Sequence, residues 1–119
     1  MIKKNLKKII SVSSFLTLFL TQTAFAASGS SVTYSDHGTS TTNTSYGGQT
    51  LTTTSTFYYT SNEIGVVLES SSTSTGTGPT SISASAYKKH VICSPIKTVG
   101  NHLVNGWAEY YKHTSYSYY

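Results

Sequence analysis

The chain has 119 residues with eight lysines, no arginine and four acids, a formal charge of +4. Lys3, Lys4, Lys7 and Lys8 crowd the first eight positions, so the 93 residues after position 26 balance four lysines against Asp36, Glu63, Glu69 and Glu109. A neutral body without arginine has no basic patch to displace counterions from phosphates, which excludes nucleic acid as a partner; its length allows one domain and excludes most cofactor-binding folds.

Residues 1–26 have the three parts of a signal peptide: a basic head, an apolar run from Ile9 to Leu20, and a small-x-small cleavage site at Ala24-Phe25-Ala26. A spanning helix needs about 20 apolar residues, and this run has 12. Cleavage is therefore expected after Ala26. No cysteine follows directly for lipid attachment, and Tyr118-Tyr119 carries no sorting pattern. The lysine-rich head looks bacterial. The expected product is secreted and extracellular, with residues 27–119 forming a single β domain.

Serine and threonine supply 35 of those 93 residues, while Ile, Leu, Val and Phe supply 14. So few aliphatic side chains would suit a disordered chain, but disorder also wants high net charge and few aromatics. Here the charge cancels, and ten tyrosines accompany Trp107. A folded domain is expected, with tyrosine supplying at least as much of the burial as aliphatic carbon.

In chain order, Ala27 to Gln49 is rich in Ser, Thr and Gly, with one strand expected at Val32-Thr33-Tyr34 and a turn at Gly47-Gly48. From Thr50 to Thr60 nearly every residue is β-branched or aromatic. Leu51, Thr53, Ser55, Phe57 and Tyr59 share one face, which predicts a strand. Ser61-Asn62-Glu63 is read as a tight connection to a more buried strand, Ile64 to Leu68, making Leu51 to Leu68 a hairpin. Residues 70–81 are of low complexity and are expected to form a flexible loop. Ser81 to Lys89 alternates, with Ile82, Ala84 and Ala86 on one face, and His90 to Cys93 extends it until Pro95 interrupts. Asn105-Gly106, between His102-Leu103-Val104 and Trp107 to Tyr111, predicts a type I′ hairpin turn. Thr114 to Tyr119 alternates as a closing strand. The fold class is all-β: a small antiparallel β-sandwich or barrel of about six to seven short strands.

Little in this pattern supports catalysis. Cys93, the only cysteine, has His90 three positions away. Strand positions three apart face opposite sides, so His90 does not reach the thiol unless Pro95 bends the chain; a thiol-dependent enzyme is the weakest reading. Cys93 reads instead as a small buried residue, able also to form an intermolecular disulfide. His90, Cys93, His102 and His113 are suitable metal ligands by type but lack the closely spaced pairs of structural zinc sites, so no metal is assigned. Asp36 and His37 beside Gly38 read as a turn. The four acids show no pairing across a cleft as a glycosidase requires. No catalytic residue or cofactor is expected.

Surface remains. Trp107, Tyr110, Tyr111, Tyr116, Tyr118 and Tyr119 form the candidate binding surface, with Tyr58, Tyr59 and Tyr87 as further rings; tyrosine and serine together make adaptable contacts. The reading is a small secreted, non-enzymatic protein binding a cell-envelope component, matrix or a protein partner. Peripheral membrane contact and a homo-oligomer fit the same composition. The alternative is a secreted antibacterial or membrane-active protein. Asn105-Gly106-Trp107-Ala108-Glu109 followed by Tyr118-Tyr119 resembles the end of lactococcin-972-type bacteriocins. That resemblance implies a small secreted β-sandwich acting on cell-wall synthesis. It covers about 15 residues, and the Gly- and Trp-containing mature start of that family has no counterpart here.

Overall fold

A computed structural model describes residues 27–119. The expected signal peptide, residues 1–26, lies outside the described residues. Seven strands follow in order: β1 (Ala27–Thr33), β2 (His37–Thr44), β3 (Thr50–Ser61), β4 (Val67–Thr77), β5 (Thr80–Tyr87), β6 (Cys93–Asn105) and β7 (Tyr110–Tyr118). They form a three-stranded sheet, β1-β2-β5, and a four-stranded sheet, β4-β3-β6-β7. All pairings are antiparallel. Hydrogen bonds such as Ser40 Oγ to Ser55 Oγ (3.2 Å) join the two inner faces, so the architecture is a β-sandwich.

β3 is central in the larger sheet, and its pattern explains why. Leu51, Thr53, Ser55, Phe57 and Tyr59 are all buried, while Thr52, Thr54, Thr56 and Tyr58 alternate outward. Period-two alternation of this kind buries one pleated face and wets the other. A β3–β4 hairpin forms, with Tyr59 opposite Leu68, but its second strand begins at Val67 rather than Ile64, and the connection runs over residues 62–66.

Several expectations change. The N-terminal region makes two strands rather than one, β1 and β2, paired from Ala27↔Thr44 to Thr33↔Gly38. Residues 70–77, expected as flexible loop, belong to β4, which pairs with β3 along its length from Thr50↔Thr77 to Thr60↔Val67. Hydroxyl side chains satisfy one another across that pair, as in Thr54 Oγ1 with Thr73 Oγ1 and Thr56 Oγ1 with Ser71 Oγ, both at 3.0 Å. Threonine's branched Cβ suits the pleat, so a low-complexity Ser/Thr run is a competent strand once a partner strand is present.

Ile64, Val66 and Val67, expected in a more buried strand, are exposed. Ile64 and Val66 lie on the β3–β4 connection, where Gly65 takes a positive φ of 70°. The strand of Ser81 to Tyr87 ends before His90, and β6 begins anew at Cys93. Pro95 does not interrupt β6: Tyr58 pairs with Lys97 and Tyr59 with Pro95, leaving Ile96 as the extra residue of a bulge. A bulge tolerates the missing N–H of proline and inverts the facing of the strand beyond it.

Asn105-Gly106 is not a type I′ turn. Neither residue has a positive φ, and Asn105 pairs with Tyr110, so the connection spans Gly106 to Glu109. Gly106 serves close approach instead, since a Cβ there would overlap the Gln49 amide.

The tyrosines do not build the core. Tyr59 is buried, but Tyr34, Tyr46, Tyr87, Tyr110, Tyr116, Tyr118 and Tyr119 are exposed. The apolar interior is Leu51, Phe57, Tyr59, Ala84, Ala86 and Val104, and Ser40, Thr42, Thr53, Ser55, Thr98 and His102 are buried with it. Where glycines face inward, at Gly29, Gly38 and Gly100, the opposing side chains come so close that a Cβ there would overlap them.

Candidate functional site

Between the sheets, buried and half-buried hydroxyls join into a chain of hydrogen bonds. Ser55 Oγ donates to the Gly38 carbonyl at 2.9 Å and accepts from Ser40 Oγ, which meets Ser31 Oγ at 2.8 Å. Ser31 continues to Ser115, whose Oγ lies 2.7 Å from His102 Nε2. His102 Nδ1 lies 2.8 Å from Thr42 Oγ1, which accepts from Thr53. Thr33 Oγ1 donates to the Ser117 carbonyl (2.7 Å) and lies 2.6 Å from Thr98 Oγ1 in a parallel link. A buried hydroxyl without a partner costs about 1–3 kcal/mol, so such a core holds only when fully connected.

His102 is the hub. Its ring is 1% exposed, and the backbone of Gly29 lies so close that a Cβ there would overlap it. Burial, then the nearby His113, lowers its pKa from the ordinary value of 6.5. Burial favours the neutral imidazole, and with both nitrogens engaged by hydroxyls the ring holds Thr42 and Ser115 in place.

The outer face of the four-stranded sheet is one of the accessible surfaces. Register places Glu69, Tyr58, Lys97 and Tyr118 in one row, Ser71, Thr56, Val99 and Tyr116 in the next, and Thr73, Thr54, Asn101 and Thr114 beyond. The Lys97 ammonium lies 5.2 Å from the Tyr58 ring centroid and 6.0 Å from that of Tyr118, within cation–π range of both. Burial, then the Glu69 carboxylate beside it, raises the Tyr58 pKa above the ordinary phenol value. Further along, Thr52, Thr54, Asn101, Leu103, Tyr110 and Lys112 line a shallow groove of about 220 Å³.

The six aromatics singled out in sequence are divided among four places. Tyr110, Tyr116 and Tyr118 share the outer face through their even spacing on β7. Tyr111 points to the inner side, opposite Val104 and half-buried, and burial raises its pKa. Tyr119 follows the strand, its N–H donating to the Ile96 carbonyl at 3.1 Å. Trp107 stands at the far end of the sandwich, where Nε1 donates to the Gly47 carbonyl at 2.8 Å and the ring lies 6.0 Å from that of Tyr46.

Among the histidines and Cys93, the fold joins only one pair. His102 and His113 face each other in register with stacked rings 6.1 Å apart. His90 sits on the β5–β6 connection, its Nδ1 without a hydrogen-bond partner, and its ring lies 6.2 Å from that of Tyr59. Cys93 is half-buried and packs against the Phe57, Tyr59 and Ala86 cluster. Asp36 accepts from His37 Nδ1 at 2.6 Å, and this bond, the largest cause, lowers its pKa.

Sequence reasoning missed the His102 hub and the place of Lys97. The signal for the first was parity: Thr98, Gly100, His102 and Val104 alternate inward, but Val99 and Leu103 offered an equally apolar opposite face. The second depended on the bulge at Ile96, which no local pattern marks.

Fold and surface together define the class: a seven-stranded antiparallel β-sandwich with a hydroxyl-bonded interior and an aromatic, lysine- and threonine-bearing outer sheet. No family model matches the chain, and none of the curated proteins matches it.

Proposed function

We propose that this is a small exported, non-enzymatic protein that binds a polysaccharide of the bacterial cell envelope through the outer face of β4-β3-β6-β7. The observation that carries the reading is the row in which Lys97 lies between Tyr58 and Tyr118. Phenol faces stack on the apolar faces of sugar rings, while ammonium and hydroxyl groups at their edges bind ring substituents and acidic groups. Tyr116 and the groove lined by Thr54, Asn101 and Lys112 continue the row along the sheet, as an extended polymer requires. Tyrosine confers contact area at low conformational cost.

The test is co-sedimentation of the protein with insoluble cell-wall polysaccharide. Tyr118→Ala should weaken retention about tenfold, equivalent to about 1.4 kcal/mol, and Lys97→Met should weaken it further on acidic polymers. Unchanged retention of a folded Tyr116→Ala/Tyr118→Ala variant would reject this surface.

A further inference from the structure

A three-stranded sheet cannot cover a four-stranded one, so β4 and β7 are the outermost strands of the sandwich, with β5 seated on β3 and β4, and β1 on β6 and β7. Each presents a row of backbone groups with no strand beside it among the described residues. Natural sheets guard such edges with short strands, proline, lysine or bulges. β4 has none of these guards: it is 11 residues long, holds neither proline nor lysine, and follows β3 without a register shift. β7 runs for nine residues beside β6, also unbroken, with Lys112 as its one lysine. Across the sheet, the register sets Glu69 beside Tyr58, Tyr58 beside Lys97, and Lys97 beside Tyr118. Tyr58 thus lies between an acid and a base. Tyr118, 69% exposed at the sheet's edge, has the base on one side only.

We infer that these two edges are the halves of one interface, whose partner is a second copy of this chain: β7 of one copy pairs with β4 of the next. A sideways shift of one sheet width, with no slide along the strands, brings them together antiparallel, because β4, β3, β6 and β7 alternate in direction. Tyr118 then faces Glu69 of the neighbouring copy and Tyr110 faces its Thr77, so all nine residues of β7 are paired. Outward side chains stay outward, and the row continues as acid, phenol, base, phenol, acid. That continuity names the occupant. Glu69 of a second copy supplies the acid that Lys97 and Tyr118 lack on their outer side. Laying β4 on its own copy in full overlap sets Glu69 against Thr75 and breaks the row. Because the mating edges differ, the contact is heterologous and each added copy leaves one edge open. Sheet twist turns successive copies about the long axis, and the product is a helical filament. The inference does not depend on what the outer face binds.

Protein produced from the full chain, its N-terminus verified by mass, is concentrated at neutral pH and followed by sedimentation velocity and electron microscopy. Species larger than a dimer should grow with concentration and appear as unbranched filaments. In the proposed register Thr75 of one copy faces Lys112 of the next, whereas within one copy the two lie on opposite edges of the sheet. Like charges directly opposite destabilise a strand pair, so Thr75→Lys should raise the concentration at half-assembly about fivefold. Adding Lys112→Glu should return it to within about twofold of the wild type, a rescue that reads the contact between copies. Thr75 is exposed, and circular dichroism melting confirms that both variants fold. A monomer at every concentration, a closed dimer, or assembly indifferent to Thr75→Lys overturns the inference. So does a Thr75→Lys defect that Lys112→Glu leaves in place, or filaments that form only from acid- or heat-unfolded chain.

Discussion

At the end that carries Trp107, the loops are closed by side chains. Gln49, fully buried, accepts from the Ala108 N–H (3.0 Å) and donates to the Glu109 carbonyl (3.2 Å), while its own carbonyl accepts from the Gly78 N–H (2.8 Å). At the opposite end, Ile64, Val91 and Ile92 are exposed. One end thus closes its loops through a buried amide, and the other, although Lys88 Nζ and the Tyr59 hydroxyl hold backbone groups there, leaves its aliphatic side chains in solvent. The difference teaches which residues are structural: Gln49 and Gly106 stabilise the fold, whereas the aliphatic tip adds nothing that folding alone needs.

That contrast is open to test. Gln49→Ala should have the largest effect, about 2–3 kcal/mol in denaturant unfolding, because it strands a loop donor and a carbonyl together; a loss under about 0.5 kcal/mol would erase the distinction between the ends. Between the ends, Ser115→Ala should cost about 1–2 kcal/mol by cutting the chain of hydroxyls between Ser31 and His102. Trp107→Ala should cost only about 0.5–1 kcal/mol, the ring being 77% exposed and held by one hydrogen bond. Replacing Val91 and Ile92 by serine should move stability by less than about 0.5 kcal/mol.

Acid should act on the centre. The folded pKa of His102 lies below its unfolded value of 6.5, so the unfolded chain takes up the proton first. Stability should be level with respect to this group above pH 6.5 and should fall as pH drops below it, until the folded pKa is passed. Urea midpoints measured between neutral pH and about pH 5 should show that decline, and it should flatten in His102→Asn. An equal decline in that variant would move the pH response to other groups.

Strand content was legible where composition and alternation agreed, as in Leu51 to Tyr59 and in the small inward residues Ala84 and Ala86. It was misread where composition alone was weighed. The Ser/Thr run of 70–77 carries no apolar face, so nothing local distinguishes it from a linker; it is a strand because β3 supplies a hydrogen-bonding edge along its whole length. The aromatic surface was legible as residue type and illegible as geometry. Tyr110 and Tyr111 are adjacent in sequence, yet they face opposite sides of the sheet, and Trp107 stands a full strand length from Tyr118.

By itself the sequence determined an all-β domain, since β-branched and aromatic residues in period-two order have no better use than the pleated sheet. It also determined the central hairpin and the outward rings at the chain's end. Only the tertiary structure decided what lies inside. The cross-sheet bonds Ser31–Ser115, Ser40–Ser55 and Thr42–His102 join residues from 15 to 84 positions apart. Burying a hydroxyl is unfavourable until its partner arrives, and no local pattern announces a partner on the other sheet.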